Sequence, residues 1–269
     1  MSILRLGLRL PLVIMLLLFG APWIYCAVLW DRARNQPLQA GAARRALQLW
    51  CRWVCRLLGI RFAIGGEPLL DGPVLVAANH ISWLDIPCVA AFWPLGFLSK
   101  AEVRGYPLIG PVATALGTLY IERGGPGAAA EAGEHMRRRL VAGRPVLFFP
   151  EGTTSDGNNL LPFRPRLFQA AIDAGVPVQP LSIDYLDRNG ERSSLAPHVI
   201  GDPLPGYIWR LLRGEGFDVV MRLGKPLRTL DRGRTELARR VQGQIAAALG
   251  LTQPQLESRQ AQPQLRQAS

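Results

Sequence analysis

The sequence predicts an α/β fold carried behind a membrane-anchoring helix. Two observations predict it. From about residue 60 to residue 250, short apolar or alternating runs take turns with amphipathic stretches of helical period, the pattern of an α/β sandwich. Ahead of them, the chain has no charged residue between Arg9 and Asp31. The composition fits one domain of ordinary size and little else in 269 residues, with 31 Lys+Arg against 20 Asp+Glu.

At ~1.5 Å per residue, the uncharged N-terminal stretch is about long enough to cross a ~30 Å hydrocarbon core. Trp23, Tyr25 and Trp30 sit toward one end, as interfacial anchors do. A cleaved signal peptide is the competing reading. Its small-residue site, Ala40-Gly41-Ala42, lies beyond Arg32 and Arg34 and too far from the apolar stretch. Gly20 and Pro22 are expected to kink the helix, so a re-entrant or half-inserted hairpin stays open. Positive charge is heavier after the stretch (Arg32, Arg34, Arg44, Arg45) than before it (Arg5, Arg9), which for a spanning helix puts the rest of the chain on the cytoplasmic side of the inner (plasma) membrane.

A second helix is predicted from Arg44 to Leu58, with Leu47, Trp50, Val54, Leu57 and Leu58 on one side and Arg45, Arg52 and Arg56 between them. It lies in the headgroup layer or packs on the body by that apolar face. Cys51 and Cys55 read as packing residues. Val74 to Ala78 reads as a buried strand, Leu119 to Ile121 as another, and Pro145 to Phe149 as a third. Ala128 to Val141 and Leu167 to Ala174 read as helices, Phe217 to Leu223 as a half-buried strand, and Thr235 to Leu249 as a closing helix. The expected division is residues 1–60 as membrane-anchoring helices, 61–250 as the functional α/β domain, and 251–269 as a polar, disordered tail.

The chemistry concentrates at Asn79-His80-Ile81-Ser82-Trp83-Leu84-Asp85, directly after the strand at Val74 to Ala78. An imidazole titrates near neutrality and accepts a proton from an alcohol, and a carboxylate on its other ring nitrogen fixes the tautomer. Five residues along a helix turn about 500°, so a continuous helix would point His80 and Asp85 apart. The pair therefore requires a strand-to-helix junction, and Pro87 suits the first helical turn that follows. The plainer alternative is that Ser82-x-x-Asp85 is a capping box with His80 idle in a loop.

No Gly-x-Ser-x-Gly elbow occurs, and Cys26, Cys51, Cys55 and Cys88 form neither Cys-x-x-Cys nor a ligand-spaced set with the three histidines. No metal and no tightly bound cofactor is implied. A base with no protein nucleophile implies that the substrate brings its own hydroxyl. The net charge of +11 comes without a nucleic-acid motif, so anionic membranes and substrates suit it better than nucleic acid.

His80-x-x-x-x-Asp85 preceded by Asn79 resembles the first signature of the glycerolipid acyltransferases, the 1-acylglycerol-3-phosphate acyltransferase family. Three further blocks resemble that family in order: Gly117-Thr118-Leu119-Tyr120-Ile121-Glu122-Arg123, Phe149-Pro150-Glu151-Gly152-Thr153 and Val176-Pro177-Val178-Gln179-Pro180. Tyr120 departs from the more usual Phe and keeps the aromatic. The resemblance covers roughly residues 60 to 225. It implies a mixed sheet flanked by helices, with His80 and Asp85 as base and orienter. It also implies Arg123 on the acceptor's phosphate, with Lys100 as a second phosphate candidate. The same resemblance has Glu151, Gly152, Thr153 and Asn79 hold the acceptor near His80. A surface Lys100–Glu102 pair and a solvated Glu151 are the competing readings.

The implied activity is acyl transfer from acyl-CoA or acyl-carrier protein to the free hydroxyl of 1-acylglycerol-3-phosphate, giving phosphatidic acid without an acyl-enzyme. Lyso-ornithine lipid, or another lysophospholipid, is the alternative acceptor. A non-catalytic membrane lipid-binding protein is the alternative of another class. Membrane lipids, the lysolipid acceptor and the acyl donor are the expected partners. Backbone N–H groups after Asp85 or near Gly152 are the expected oxyanion donors.

Overall fold

The computed structural model describes residues 2–36, 41–93, 95–122, 127–199 and 201–252. Arg123 and the expected tail beyond residue 252 lie outside them. Along the chain come α1 (Ser2–Ala33), α2 (Ala42–Leu57), β1 (Arg61–Gly66), β2 (Leu75–Ala78), α3 (Asp85–Ala90), β3 (Gly96–Lys100), α4 (Ile109–Ala115), β4 (Leu119–Ile121), α5 (Ala128–Val141), β5 (Val146–Phe148), α6 (Gln169–Ala174), β6 (Val178–Leu186), α7 (Leu204–Arg213), β7 (Asp218–Leu223) and α8 (Arg234–Leu249).

The strands form one mixed sheet in the order β1-β7-β6-β2-β5-β3-β4. Neighbours are parallel except β6 and β7, which run antiparallel. β2 is buried at every position, as a central strand covered on both faces must be. Its side chains alternate between two cores. Val76 and Ala78 join a cluster with α2, α3 and α7, whereas Leu75 and Ala77 join one with α5, α6 and α8. β7 buries Val219, Met221 and Leu223 and leaves the residues between them less covered, the alternation read from its sequence.

β1, β3, α4 and α7 were not anticipated. β1 is a sheet edge that exposes Ile64 and ends in two glycines, so it lacks the apolar run that signals a strand.

α1 is one uninterrupted helix with Pro11 and Pro22 inside it. A narrow stripe of it faces the protein through Gly20, Ala21, Ile24 and Val28, while Leu4, Leu8, Leu18, Phe19, Trp23 and Trp30 among others stay exposed. Gly20 serves packing here. A Cβ on it would strike the Trp50 indole, whose Nε1–H donates to the Leu16 carbonyl at 2.8 Å. α2 turns Ala43, Ala46, Cys51 and Cys55 inward and leaves Leu49 and Trp53 exposed. Small residues let α2 close against α1 and α3, while Leu58 is buried and Leu47, Trp50 and Val54 of the bulky face that the spacing singled out pack on the same core.

Both ends of α1 are tied to the same α/β body. Near its start, Arg5 pairs with Glu215 at 2.8 Å and Arg9 Nη1 donates to the Gly214 carbonyl at 2.7 Å, just past α7. Near its end, Arg32 Nη2 donates to the Ala115 carbonyl of α4 at 3.4 Å, and the Asp31 carboxylate accepts the N–H groups of Ala42 and Ala43 at 2.9 and 2.8 Å, supplying the cap that Gly41 cannot give α2.

Candidate functional site

The carboxyl ends of β2 and β5 lie side by side, the edge of a parallel sheet where ligands bind. β2 leads into Asn79 and His80, and β5 leads into Phe149, Pro150 and Glu151. α3 begins at Asp85, so the junction required by the His80–Asp85 spacing is present.

The turn between strand and helix brings the two side chains together. His80 Nδ1 lies 2.7 Å from Asp85 Oδ2. The same Asp85 oxygen accepts the N–H groups of Ile81 at 2.9 Å and Ser82 at 3.1 Å. The bond from Ser82 N–H is one half of a capping box, but the Asp85 N–H goes to the Ser82 carbonyl and not its hydroxyl, and His80 is engaged, so the plainer reading does not hold. Asp85 Oδ1 accepts the Tyr185 hydroxyl at 2.6 Å from β6. Burial, with the Asp85 charge beside it, pushes the Tyr185 phenol far up, which keeps it a donor. Asp85 is fully buried, and both of its oxygens have hydrogen-bond partners.

With Nδ1 bound, Nε2 of His80 is the nitrogen left for a substrate proton. The ring stacks on Phe149, centroids 3.9 Å apart and planes 12° from parallel, which fixes its tilt. Each neighbour of His80 along the chain is pinned as well. The Asn79 amide donates to and accepts from the backbone of Ile183, both at 2.8 Å, as if extending the β2–β6 pairing by one residue.

Glu151 is buried, and its oxygens accept the N–H groups of His80 at 2.7 Å and Leu161 at 3.0 Å. Burial lifts its carboxyl to about 8 against the pull of those two donors. Asn79 and Glu151 were expected on the acceptor. Both instead spend their polar atoms on backbone and hold His80 in place.

Gly152 takes φ +75°, a conformation few other residues adopt, and its N–H donates to the Phe149 carbonyl at 3.1 Å. The N–H groups of Asp85 and Ile86 are likewise spent on Ser82 and Trp83 carbonyls. These three N–H groups are therefore engaged within the protein. Thr153 is half-buried on the same loop, its hydroxyl without a partner among the described residues.

The Arg164 guanidinium lies flat enough against Gly152 that an added Cβ would sit 3.1 Å from its Cζ. Arg164 is exposed and its side chain makes no hydrogen bond among the described residues. Nothing in its sequence surroundings, Pro162 to Pro165, marked it.

Lys100 stands at the end of β3. Leu75 and Gly96 both pair with Val146, so Lys100 is level with Asn79 across β5, about 10 Å away at two strand spacings. It is exposed and forms no ion pair with Glu102. Its register partner Ile121 ends β4, and Arg123 follows beyond the described residues. Arg139, read only as part of a helix, braces this strand pair. Burial lowers its guanidinium to about 10, and it donates to the Gly117 carbonyl at the start of the second block.

The family model that describes acyltransferases matches residues 60–184. The chain is 38% identical over 264 residues to a lyso-ornithine lipid O-acyltransferase of Pseudomonas aeruginosa, covering 97% of this chain and 100% of that one.

The chain belongs to this acyltransferase family.

As a member, the protein is an O-acyltransferase, and the reading as a non-catalytic lipid binder gives way. A 1-acyl-sn-glycerol-3-phosphate acyltransferase of Neisseria meningitidis is 39% identical over 149 residues, 55% of this chain and 58% of that one. The acyltransferase also shares its fold with PlsC, the 1-acyl-sn-glycerophosphate acyltransferase of Thermotoga maritima. The TM-score is 0.69 at 21% identity, covering 93% of this chain and 95% of that one. Its long apolar helix, mostly unburied, fits an enzyme that works on membrane lipid.

Proposed function

We propose that this enzyme transfers an acyl chain from acyl-CoA or acyl-carrier protein to the free hydroxyl of lyso-ornithine lipid at a membrane surface. The observation that carries the chemistry is the His80 ring, tied at Nδ1 to a buried Asp85 and without a hydrogen-bond partner at Nε2 among the described residues. Nε2 takes the hydroxyl proton as the oxygen bonds to the thioester carbonyl carbon. Collapse of the tetrahedral intermediate breaks the C–S bond, and the proton on Nε2 passes to the leaving thiolate. The products are the acylated lipid and a free thiol.

The acceptor is argued from the extent of the likeness. The Pseudomonas lyso-ornithine relative matches from end to end, and that of Brucella abortus matches 79% of this chain, whereas the Neisseria relative matches about half. Transfer to 1-acylglycerol-3-phosphate is the second reading, favoured by that Neisseria match and by Lys100 on the rim as a phosphate partner.

The catalytic unit is residues 61–250, with residues 1–60 as its anchor. Because both ends of α1 hold the same body, a helix crossing the bilayer would have to draw that body in with it. An α1 lying along one leaflet is the arrangement these contacts support. The cytoplasmic face of the inner membrane suits the source of a CoA or carrier-protein thioester.

The test incubates the purified full chain with labelled acyl-CoA or acyl-carrier protein and either lyso-ornithine lipid or lysophosphatidic acid, beside a His80→Ala control. Transfer to lyso-ornithine lipid that the control loses is the expected result. Transfer to lysophosphatidic acid alone would move the protein to the second reading.

A further inference from the structure

Beside the His80–Asp85 pair, the protein has an open cavity of about 550 Å³ lined by Asp156, Asn158, Arg192, Ser194, Asp202 and Arg210 among others. Its two walls come from chain segments far apart in sequence, and both are bonded to the backbone of His80 to Ser82. On one side, Ser155 N–H donates to the His80 carbonyl at 2.8 Å, and Gly157 packs on Ile81. On the other, His198 N–H donates to the Ile81 carbonyl at 3.2 Å. The Tyr207 hydroxyl bridges Ser82 Oγ at 2.8 Å and the Ala196 carbonyl at 2.6 Å. The cavity and the reacting nitrogen are therefore built on the same three residues.

The lining is polar and balanced in charge. Two carboxylates face two guanidiniums, which leaves no surplus of positive charge for a phosphate dianion. Asp202 and Arg210 are already paired at 2.5 Å. Asp156 is exposed, and its oxygens accept from Asn158 and Asn159 of its own turn, which orients the charge without neutralising it. Arg192 is half-buried, held by Nη2 on the Leu249 carbonyl at 2.6 Å and with Nε 3.7 Å from the Asp184 carboxylate. A ligand matched to this lining carries one cation and one anion a short distance apart.

An ornithine acylated at one amine is such a group, since it keeps one ammonium and one carboxylate and bears no phosphate. We infer that this cavity is the subsite for the acceptor's zwitterionic amino-acid head group, with the ammonium beside Asp156 and the carboxylate beside Arg192 and Arg210. The inference rests on the lyso-ornithine reading and assigns that reading a place in the fold. Head-group capture here sets the lipid beside His80 and discriminates against phosphate head groups.

The experiment measures KM and kcat of the full-length enzyme in mixed micelles with lyso-ornithine lipid, the same lipid acetylated on its ammonium, the same lipid methylated on its carboxylate, and lysophosphatidic acid. Asp156→Asn keeps the turn and removes the charge. It is expected to raise KM for lyso-ornithine lipid about tenfold with kcat little changed, and to leave the acetylated acceptor unaffected. Arg210→Gln is expected to do the same for the native acceptor and to spare the methylated one. The inference is overturned where wild-type enzyme uses lyso-ornithine lipid and both variants match it, or where native and masked acceptors lose equally. A wild-type enzyme that acylates lysophosphatidic acid and ignores lyso-ornithine lipid overturns the subsite together with the proposed acceptor.

Discussion

The inner half of the site and its outer rim are built on opposite rules. Inside, Asp85 has four donors, Asn79 grips Ile183 at both ends of its amide, and Glu151 holds two backbone N–H groups. On the rim, Lys100 and Arg164 are exposed cations whose side chains have no hydrogen-bond partner among the described residues. The inner half spends its bonds in advance so that one nitrogen is aimed without rearrangement, and the rim keeps its bonds for whatever arrives.

The largest expected effect comes from removing the aimed group itself. His80→Ala should cut the rate of acyl transfer by about 10²–10⁴-fold or more while the melting temperature holds, because the ring is half-buried and its fixing partners stay satisfied by backbone. An active, folded variant would break the comparison outright. Asp85→Asn should cost about as much in kcat and lower the melting temperature too, since donors to a charge contribute about 1.5–3 kcal/mol each. Tyr185→Phe removes one of those donors. About a tenfold fall in kcat, or ~1.4 kcal/mol, is expected with KM nearly constant, and a change in KM alone would count against an orienting role.

Glu151 gives the comparison a pH axis. Its carboxyl ionises near 4.5 in the unfolded chain and at about 8 in the fold. Between these values the folded protein holds a proton that the unfolded chain has lost, so stability falls as pH rises through the window and levels off above it. Glu151→Gln, which carries no titrating proton, should show a shallower fall in melting temperature from pH 5 to 8. Parallel curves for the two proteins would refute this origin of the slope. The smallest effect is reserved for the rim, where Arg164→Ala should change KM by a few-fold and leave kcat and melting temperature alone.

The two halves were also unequally legible. His80 and Asp85 could be paired from sequence because their spacing, an apolar run before them and Pro87 after them all demand one local geometry. Phe149 and Glu151 were visible as a block, but their bonds to His80 were not, because adjacency of β2 and β5 joins residues about seventy positions apart. Tyr185 gave no signal, since it arrives from β6, a hundred residues downstream, as an ordinary strand tyrosine. Arg164 owes its place to the backbone turn at Gly152 and to nothing in its own neighbours. Sheet elements with continuous apolar runs, β2 and β5, were read directly, whereas β1 and β3 take their strand character from partners. Ala43 and Ala46 of α2 teach the same lesson, because close packing of two helices selects small residues that a search for bulky ones passes over.

The paired ends of α1 have a consequence for how this enzyme must be assayed. Arg5 and Arg9 at one end and Arg32 at the other tie the anchor to the catalytic body. With α1 along a leaflet as proposed, the enzyme meets its lipid by lateral diffusion in two dimensions. Its rate should therefore follow the mole fraction of acceptor in the surface, and diluting the surface with inert lipid at constant bulk concentration should slow it.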